Sequence, residues 1–452
     1  MKKKHFSFST TQIIMFTFFA AILLGSVLLS LPVSSADGNT VDFIDALFTA
    51  TTSTCVTGLV TVPTFSTWST FGHIVILFLI QIGGLGIITI MSGVMIALHK
   101  KIGISDRLLI QDAFNLNSLS GLVKFVKKVL FGTFVVEGIG AVLYMTVFIP
   151  QFGLKGIWYS VFNSISAFCN AGIDIISADS LCGYAVNPVI NIVTSLLIIA
   201  GGLGYIVWWD LIRVFGTFRT KKFRCLKSLT LHSKIVLTGT AVLVFAGALL
   251  IFIFEFNNPL TIKNLSVFDK IQVSLFQSVT TRTAGFASIP QQNLTNASSI
   301  LCLMLMFIGG SPVGTAGGIK TVTVIILFAS AFTAIKGKDE VTLFNRNIPR
   351  GAISKAVSVT SMSFIIMFVS TVLLSAVTDA SALDVVYETV SATATVGLTR
   401  DLTASLDLWG KIIIIFTMYL GRVGPISLAI AFNIKKEKKN IIKNPTEDIS
   451  VG

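Results

Sequence analysis

Of the 452 residues, 53% are hydrophobic and only 12% are charged, about half the charged share of an ordinary soluble domain. That composition excludes a soluble enzyme and places the chain in a bilayer. The net charge of +13 would suit a nucleic-acid binder, but the basic residues are not spread over one polar face. Most of the 34 Lys and Arg lie near the N-terminus and within 100–128, 213–234, 320–355 and 435–443, between or beside long apolar runs.

The first apolar run, 11–32, follows Met1-Lys2-Lys3-Lys4 and precedes Ser34-Ser35-Ala36, the flanks of a secretory signal. Its length exceeds the roughly 7 to 15 residues of a signal core, so it reads as a membrane span. Further apolar runs occupy 73–98, 129–149, 189–212, 235–254, 300–335, 356–378 and 411–432. Each can cross the hydrocarbon core, which takes about 20 helical residues, and together they predict eight spans. Within each pair of spans lies a segment too short to cross and too apolar for a loop: 43–54, 157–168, 268–281 and 383–393. Non-helical backbone survives at membrane depth only when buried in protein or lining a wet cavity. Four re-entrant half helices around one axis satisfy that condition.

The basic connections, and with them both termini, are expected on the cytoplasmic side. The opposite connections carry Asp37, Asp42, Asp45, Asp174, Asp179, Asp379, Asp384 and Glu388. Such acids concentrate cations at an outer mouth or cap short helices. The five cysteines lack paired spacing, the four histidines are scattered, and no HExxH, GxSxG or paired-carboxylate pattern occurs. The chain therefore offers no catalytic apparatus and no cofactor or metal site.

Each half helix runs into a short turn: Val56-Thr57-Gly58, Asn170-Ala171-Gly172, Thr283-Ala284-Gly285 and Thr395-Val396-Gly397. The glycines fall at intervals of 114, 113 and 112 residues, which implies four copies of one unit. Phe48, Phe162, Phe276 and Tyr387 precede them by 10, 10, 9 and 10 positions, so the third copy is one residue short. A cation leaving water needs its shell replaced by oxygens, and main-chain carbonyls supply them without a fixed charge that would trap it. Glycine allows the backbone angles such a turn requires. The set of twelve residues is therefore the candidate selectivity filter.

The run 300–335 is longer than one span needs, and its excess is Gly309-Gly310-Ser311-Pro312-Val313-Gly314-Thr315-Ala316-Gly317-Gly318. Five glycines and a proline break the helix there, leaving main-chain groups free just below the turns. Gly83-Gly84-Leu85-Gly86 and Gly201-Gly202-Leu203-Gly204 read instead as close helix packing. Arg422, 11 residues after Lys411 and 13 before Lys435, lies near mid-membrane, where a charge costs at least about 2.5 kcal/mol and marks a functional candidate. Arg282, inside the third turn segment, is expected to pair with a pore-helix acid such as Glu388, and Glu137 stands in an apolar run without a nameable partner.

The segments Phe43-Ile44-Asp45-Ala46-Leu47-Phe48-Thr49-Ala50, Gln81-Ile82-Gly83-Gly84-Leu85-Gly86, Thr280-Thr281-Arg282-Thr283-Ala284-Gly285-Phe286 and Gly309-Gly310-Ser311-Pro312 through Gly317-Gly318-Ile319-Lys320 resemble the Trk/Ktr/HKT superfamily of potassium transporters, most nearly the bacterial Ktr membrane subunit. The likeness covers almost the whole chain. It implies an all-α integral membrane fold of four M1-P-M2 repeats, with eight transmembrane helices and four re-entrant pore loops in pseudo-fourfold symmetry. The repeats divide as 1–100, 101–214, 215–337 and 338–452. It implies potassium selected by the four turns, where Gly58 stands at a position that is commonly Ser in sodium-passing relatives. It further implies gating by the loop 309–318 with Arg422 facing it, stimulation by sodium, and a homodimer seated on a cytosolic ring of nucleotide-binding regulatory subunits. A sodium-coupled symporter, or a sodium-translocating member of the same superfamily, is the alternative. Inverted repeats and paired broken helices would mark a symporter; four parallel repeats with one markedly broken helix favour the channel-like form.

Overall fold

The computed structural model describes residues 10–98, 103, 121–217 and 222–424. The N-terminal lysines, most of the basic 100–120 stretch and the tail beyond Gly424 lie outside the described residues.

An outer helix, a pore helix and an inner helix follow one another four times. The outer helices are Thr10–Leu29, Leu122–Phe152, Leu231–Glu255 and Arg350–Ser375; the pore helices Phe43–Cys55, Lys155–Cys169, Val267–Thr280 and Ala382–Ala394; the inner helices Thr70–Leu85, Pro188–Leu203, Asn296–Phe307 and Leu408–Val423. The outer helices, 20 to 31 residues long, are apolar on every side and long enough to cross a bilayer. They expose Phe131, Phe134, Phe245 and Phe368, as a lipid-facing surface should. Each inner helix begins on a side-chain cap that accepts a main-chain N–H: Ser69, Asn187, Thr295 and Asp407. Capping of this kind stabilises a helix start by about 1 kcal/mol and sets all four in one register.

The inner helices depart from the expected full spans. They stop after 12 to 16 residues, at Gly86, Gly204 and Gly424, whose φ values of 81°, 85° and 89° suit glycine alone, and at Phe307 in the third repeat. In repeats one and two the chain continues as Ile87–Ala97 and Tyr205–Phe215, turned by 100° and 99°. Close packing explains only part of each glycine set. A Cβ on Gly83 would lie 2.0 Å from the Thr54 carbonyl oxygen, one on Gly201 2.0 Å from that of Phe168, and one on Gly421 2.2 Å from that of Thr393. The first glycine thus seats the inner helix on the end of its own pore helix, and the last glycine ends it. In repeat three the second half resumes as Thr321–Ile335, followed by a small antiparallel hairpin of Thr342–Leu343 and Arg346–Asn347.

The pore helices form the centre of the molecule. Phe48, Phe162, Phe276 and Tyr387 are at most 1% exposed, and they fix the height of each pore helix among its neighbours. Lys411 of the fourth inner helix meets Asp45 of the first pore helix at 2.6 Å, joining the last repeat to the first.

Gly201→Ala would drive its methyl into a backbone carbonyl that cannot step aside, and overpacking of this kind costs about 1–3 kcal/mol. The detergent-purified variant should melt several degrees below the parent, whereas Gly138→Ala, where a Cβ meets nothing within 4 Å, should not; equal melting temperatures would refute the seating role.

Candidate functional site

Each pore helix delivers its turn by the same local geometry. Helices one, two and four end on Val56, Asn170 and Thr395 in the left-handed region, at φ of 56°, 60° and 50°. The third helix stops at Thr280, and Thr281 and Arg282 precede the left-handed Thr283 at φ 68°. Gly58, Gly172, Gly285 and Gly397 then take φ of 102°, 64°, 84° and 99°. A hydroxyl six residues before the glycine, five in the third repeat, ties the turn back to the helix. Thr52 Oγ1 accepts the Gly58 N–H at 2.9 Å, and Ser391 Oγ accepts the Gly397 N–H at 3.0 Å. Ser166 Oγ accepts the Ile173 N–H at 3.1 Å, and Thr280 Oγ1 donates to the Phe286 carbonyl at 2.6 Å. Sequence reasoning passed over these four hydroxyls, although their fixed offset from the glycine was available as a signal.

The four turns meet in a closed ring. A Cβ on Gly58 would stand 2.6 Å from the Ala171 carbonyl oxygen, on Gly172 2.5 Å from that of Ala284, on Gly285 2.5 Å from that of Val396, and on Gly397 2.3 Å from that of Thr57. Each repeat therefore touches the next in chain order, and the fourth returns to the first. Thr57, Asn170, Ala171, Thr283, Ala284, Thr395 and Val396 are buried around the ring. The pore helices present their C-terminal, partly negative ends to it. Among the described residues no group of His, Cys, Asp and Glu gathers as a metal site; the oxygens offered here are carbonyls and hydroxyls.

The loop 309–318 packs directly against this ring. A Cβ on Gly317 would lie 1.9 Å from Thr395 Oγ1 and 2.7 Å from the Ala394 carbonyl oxygen, while the Gly317 N–H donates to Thr283 Oγ1 at 3.2 Å. On its other side the loop binds the broken end of the second inner helix. Ser311 N–H donates to the Gly202 carbonyl, Thr315 N–H to that of Gly201, and Tyr205 N–H to that of Val313, at 2.8, 3.1 and 2.9 Å. Thr315 Oγ1 donates to the Phe168 carbonyl at 2.9 Å. Arg422 donates to the Thr315 carbonyl at 2.8 Å and to the Gly83 carbonyl at 2.5 Å, so the sequence-predicted arginine and loop are brought together. Lys320, named in the sequence only as the end of the segment that carries the resemblance, donates to the Ala316 carbonyl at 2.7 Å.

Arg282 does not pair with Glu388. Its guanidinium donates to the Gly309 carbonyl at 3.2 Å and to Thr321 Oγ1 at 3.0 Å, because the third inner helix ends beside it and leaves that carbonyl open. Glu388 is fully buried and accepts the hydroxyls of Thr399 and Thr403 from its own repeat. Glu137 does have a partner: Gln81 Nε2 donates to it at 3.1 Å, and the Cys169 thiol donates to Gln81 Oε1 at 3.3 Å.

Three of the outer acids are held by specific partners. Asp45 is paired with Lys411, and Asp384 with Arg400 at 2.7 Å; Asp174 accepts N–H groups of its own turn. At Asp384 burial disfavours the charge, but hydrogen bonds from Ser381 and Arg400 outweigh it and hold the carboxyl below its usual range. Arg400 also donates to the Gln291 carbonyl and to Ser299 Oγ at 3.0 and 2.8 Å, strapping the segment after the fourth turn to the third repeat. Asp37, Asp42, Asp179 and Asp379 remain exposed.

Known proteins are similar to this chain. The TrkH family, described as cation transport proteins, matches residues 3–444. The Ktr system potassium uptake protein B of Bacillus subtilis is 39% identical over 98% of this chain and 97% of its own. The potassium/sodium uptake protein NtpJ of Enterococcus hirae is 40% identical over 98% and 97%. The crystal structure of the potassium transporter TrkH from Vibrio parahaemolyticus superposes with a TM-score of 0.74 at 17% identity, over 95% of this chain and 86% of that one, a likeness of fold.

Replacing Ser391 by Ala leaves the buried Gly397 N–H without its acceptor, at a cost of about 1–3 kcal/mol. Amide hydrogen exchange across 391–398 should quicken while the second repeat's turn keeps its rate; unchanged exchange at both would show that the hydroxyl does not hold the turn.

Proposed function

The chain belongs to the TrkH family of cation transport proteins, a multi-pass membrane fold, and from that premise we propose that it takes up potassium through the ring of four turns. The observation that carries the proposal is the closed set of glycine-to-carbonyl contacts. A ring of main-chain oxygens replaces a cation's hydration shell at little electrostatic cost and without a trapping charge. The relatives' names add the ion: both take up potassium, and one also sodium. Gly58 supports potassium as the preferred ion, because any larger residue there would press on the Ala171 carbonyl and alter the ring's width.

On the same proposal the loop 309–318 closes the path beneath the ring, with Arg422 as its latch and as a positive charge that repels an approaching cation. Residues 1–100, 101–214, 215–337 and 338–452 are the four repeats. The protein sits in the cell membrane with both termini cytoplasmic. It works as a homodimer stimulated by sodium, and its basic inner face docks a cytosolic ring of nucleotide-binding subunits.

Cells lacking other potassium uptake should grow at low potassium when they express the chain with such a partner, and liposomes containing it should accumulate rubidium. In Gly58→Ser the preference for potassium over sodium should fall at least about tenfold, the weight of about 1.4 kcal/mol; equal preference in parent and variant would contradict the filter assignment. Arg422→Ala should raise rubidium uptake in the absence of any partner protein, and lowered uptake from a well-folded variant would overturn the latch.

A further inference from the structure

In three repeats the residue just before the left-handed turn position is small: Cys55, Cys169 and Ala394, all buried. In the third it is Arg282, also buried, and none of the salt bridges among the described residues includes it. A buried cation without a counter-charge is costly unless hydrogen-bond acceptors satisfy it. Here they come from both roots of the loop, a carbonyl from one and a hydroxyl from the other. Arg282 donates to the Gly309 carbonyl and to Thr321 Oγ1, and Thr321 Oγ1 donates in turn to the same carbonyl at 3.0 Å. The Thr321 N–H reaches the Gly310 carbonyl at 2.9 Å, and Ile308 pairs with Ile319 in a short bridge. The loop thus leaves and re-enters its helix through one clamp, whose third member is a residue of the filter segment. Arg282 also lines a small cavity together with Ile198, Gly202, Thr240, Val279 and Gly310.

We infer that Arg282 is a positioning residue that couples the third filter turn to the roots of the loop, so that selectivity and loop closure share one fastening. Arg422 grips the loop at its middle, on Thr315. The two arginines therefore have different duties: loss of Arg422 frees the loop alone, whereas loss of the Arg282 clamp frees the loop and lets the Thr283 turn drift. This rests on the proposal that the ring selects potassium and the loop closes the path.

The decisive variant is Thr321→Val, because Thr321 lies at the far root and meets the filter segment through Arg282. Purified chain in liposomes, without any partner protein, would be assayed for rubidium uptake and for its inhibition by sodium, alongside Arg282→Gln and Arg422→Ala. Thr321→Val removes both hydrogen bonds of Thr321 Oγ1 and should raise uptake at least about fivefold, the effect of a single lost hydrogen bond, and should lower the rubidium-to-sodium preference; Arg282→Gln should do both more strongly if it folds. A second measurement uses Ser311→Cys with Cys182→Ser, scored by the rate of modification with a thiol reagent, which needs no ion flux. Adding Thr321→Val should speed that modification. Raised uptake with the preference intact, or an unchanged modification rate, would overturn the coupling. Failure of the parent and of all the loop-freeing variants alike to pass rubidium would instead sink the potassium proposal while leaving the modification result to judge the clamp.

Discussion

Everything in this molecule depends on how closely four strands of backbone approach one another at the pore turns. The ring closes with carbonyl oxygens where a Cβ would stand only 2.3 to 2.6 Å away, so each of Gly58, Gly172, Gly285 and Gly397 is required for space as well as for its positive φ. No flexible side chain lines that contact, and therefore nothing in it yields easily. The rest of the fold serves to bring four chain segments to the same height. The buried aromatic side chains set the pore helices, the hydroxyls six or five residues before each glycine tie down the turns, and the first glycine of each inner-helix set lets that helix bear on the pore-helix end. An error of half an ångström in any one repeat would be passed to its neighbour through rigid backbone.

The inner helices show how one pattern is bent to two uses. Gly83-Gly84-Leu85-Gly86, Gly201-Gly202-Leu203-Gly204 and Gly421-Arg422-Val423-Gly424 occupy matching places, each ending its helix at a left-handed glycine. Stopping the helices there leaves room under the ring and exposes helix-end carbonyls that need donors. The loop of repeat three takes up that room and supplies the donors at Gly201 and Gly202. Arg422, standing where the first two repeats have Gly84 and Gly202, supplies another at Gly83. Asymmetry therefore arises at positions the symmetry had already left open.

Much of this was legible in the sequence, and the limits have physical reasons. The glycine intervals and the short third copy gave the repeats, because backbone geometry that only glycine meets leaves a mark in every copy. The long run 300–335 with its internal glycines gave the broken helix, since a helix cannot hide ten surplus residues. Arg422 was visible from depth alone. The partner of Arg282 was not: an opposite charge is the obvious expectation in a sequence, whereas a carbonyl bared by a helix end becomes a partner only once that end is located. The sharp bends at Gly86 and Gly204 were missed for a related reason, as small residues suit close packing and helix termination equally, and an apolar run reports its length but no angle. The pairings of Asp45 and Asp384 likewise needed three dimensions, because Lys411 lies more than 300 residues from Asp45.

The strength of the loop's hold bears on the proposal that it gates the path. Six hydrogen bonds join it to its surroundings above the roots: from Ser311, Thr315, Gly317, Tyr205 and Arg422, with Thr315 counted for both its N–H and its hydroxyl. At about 1 kcal/mol net for each, releasing the loop into water-filled space costs on the order of 6 kcal/mol. Moving a two-state equilibrium from 1:99 to 99:1 takes about 5.5 kcal/mol of differential binding. On the proposed gating role, a hold of this size favours the closed loop and still lies within the reach of one well-placed binding event. A covalent or fully apolar seal of the same area would forfeit that balance, since hydrogen bonds made in the closed state and lost on opening can be returned by water. The use of main-chain donors and acceptors at both the ring and the loop follows from a single requirement, that polar groups at membrane depth always have a partner and can exchange it.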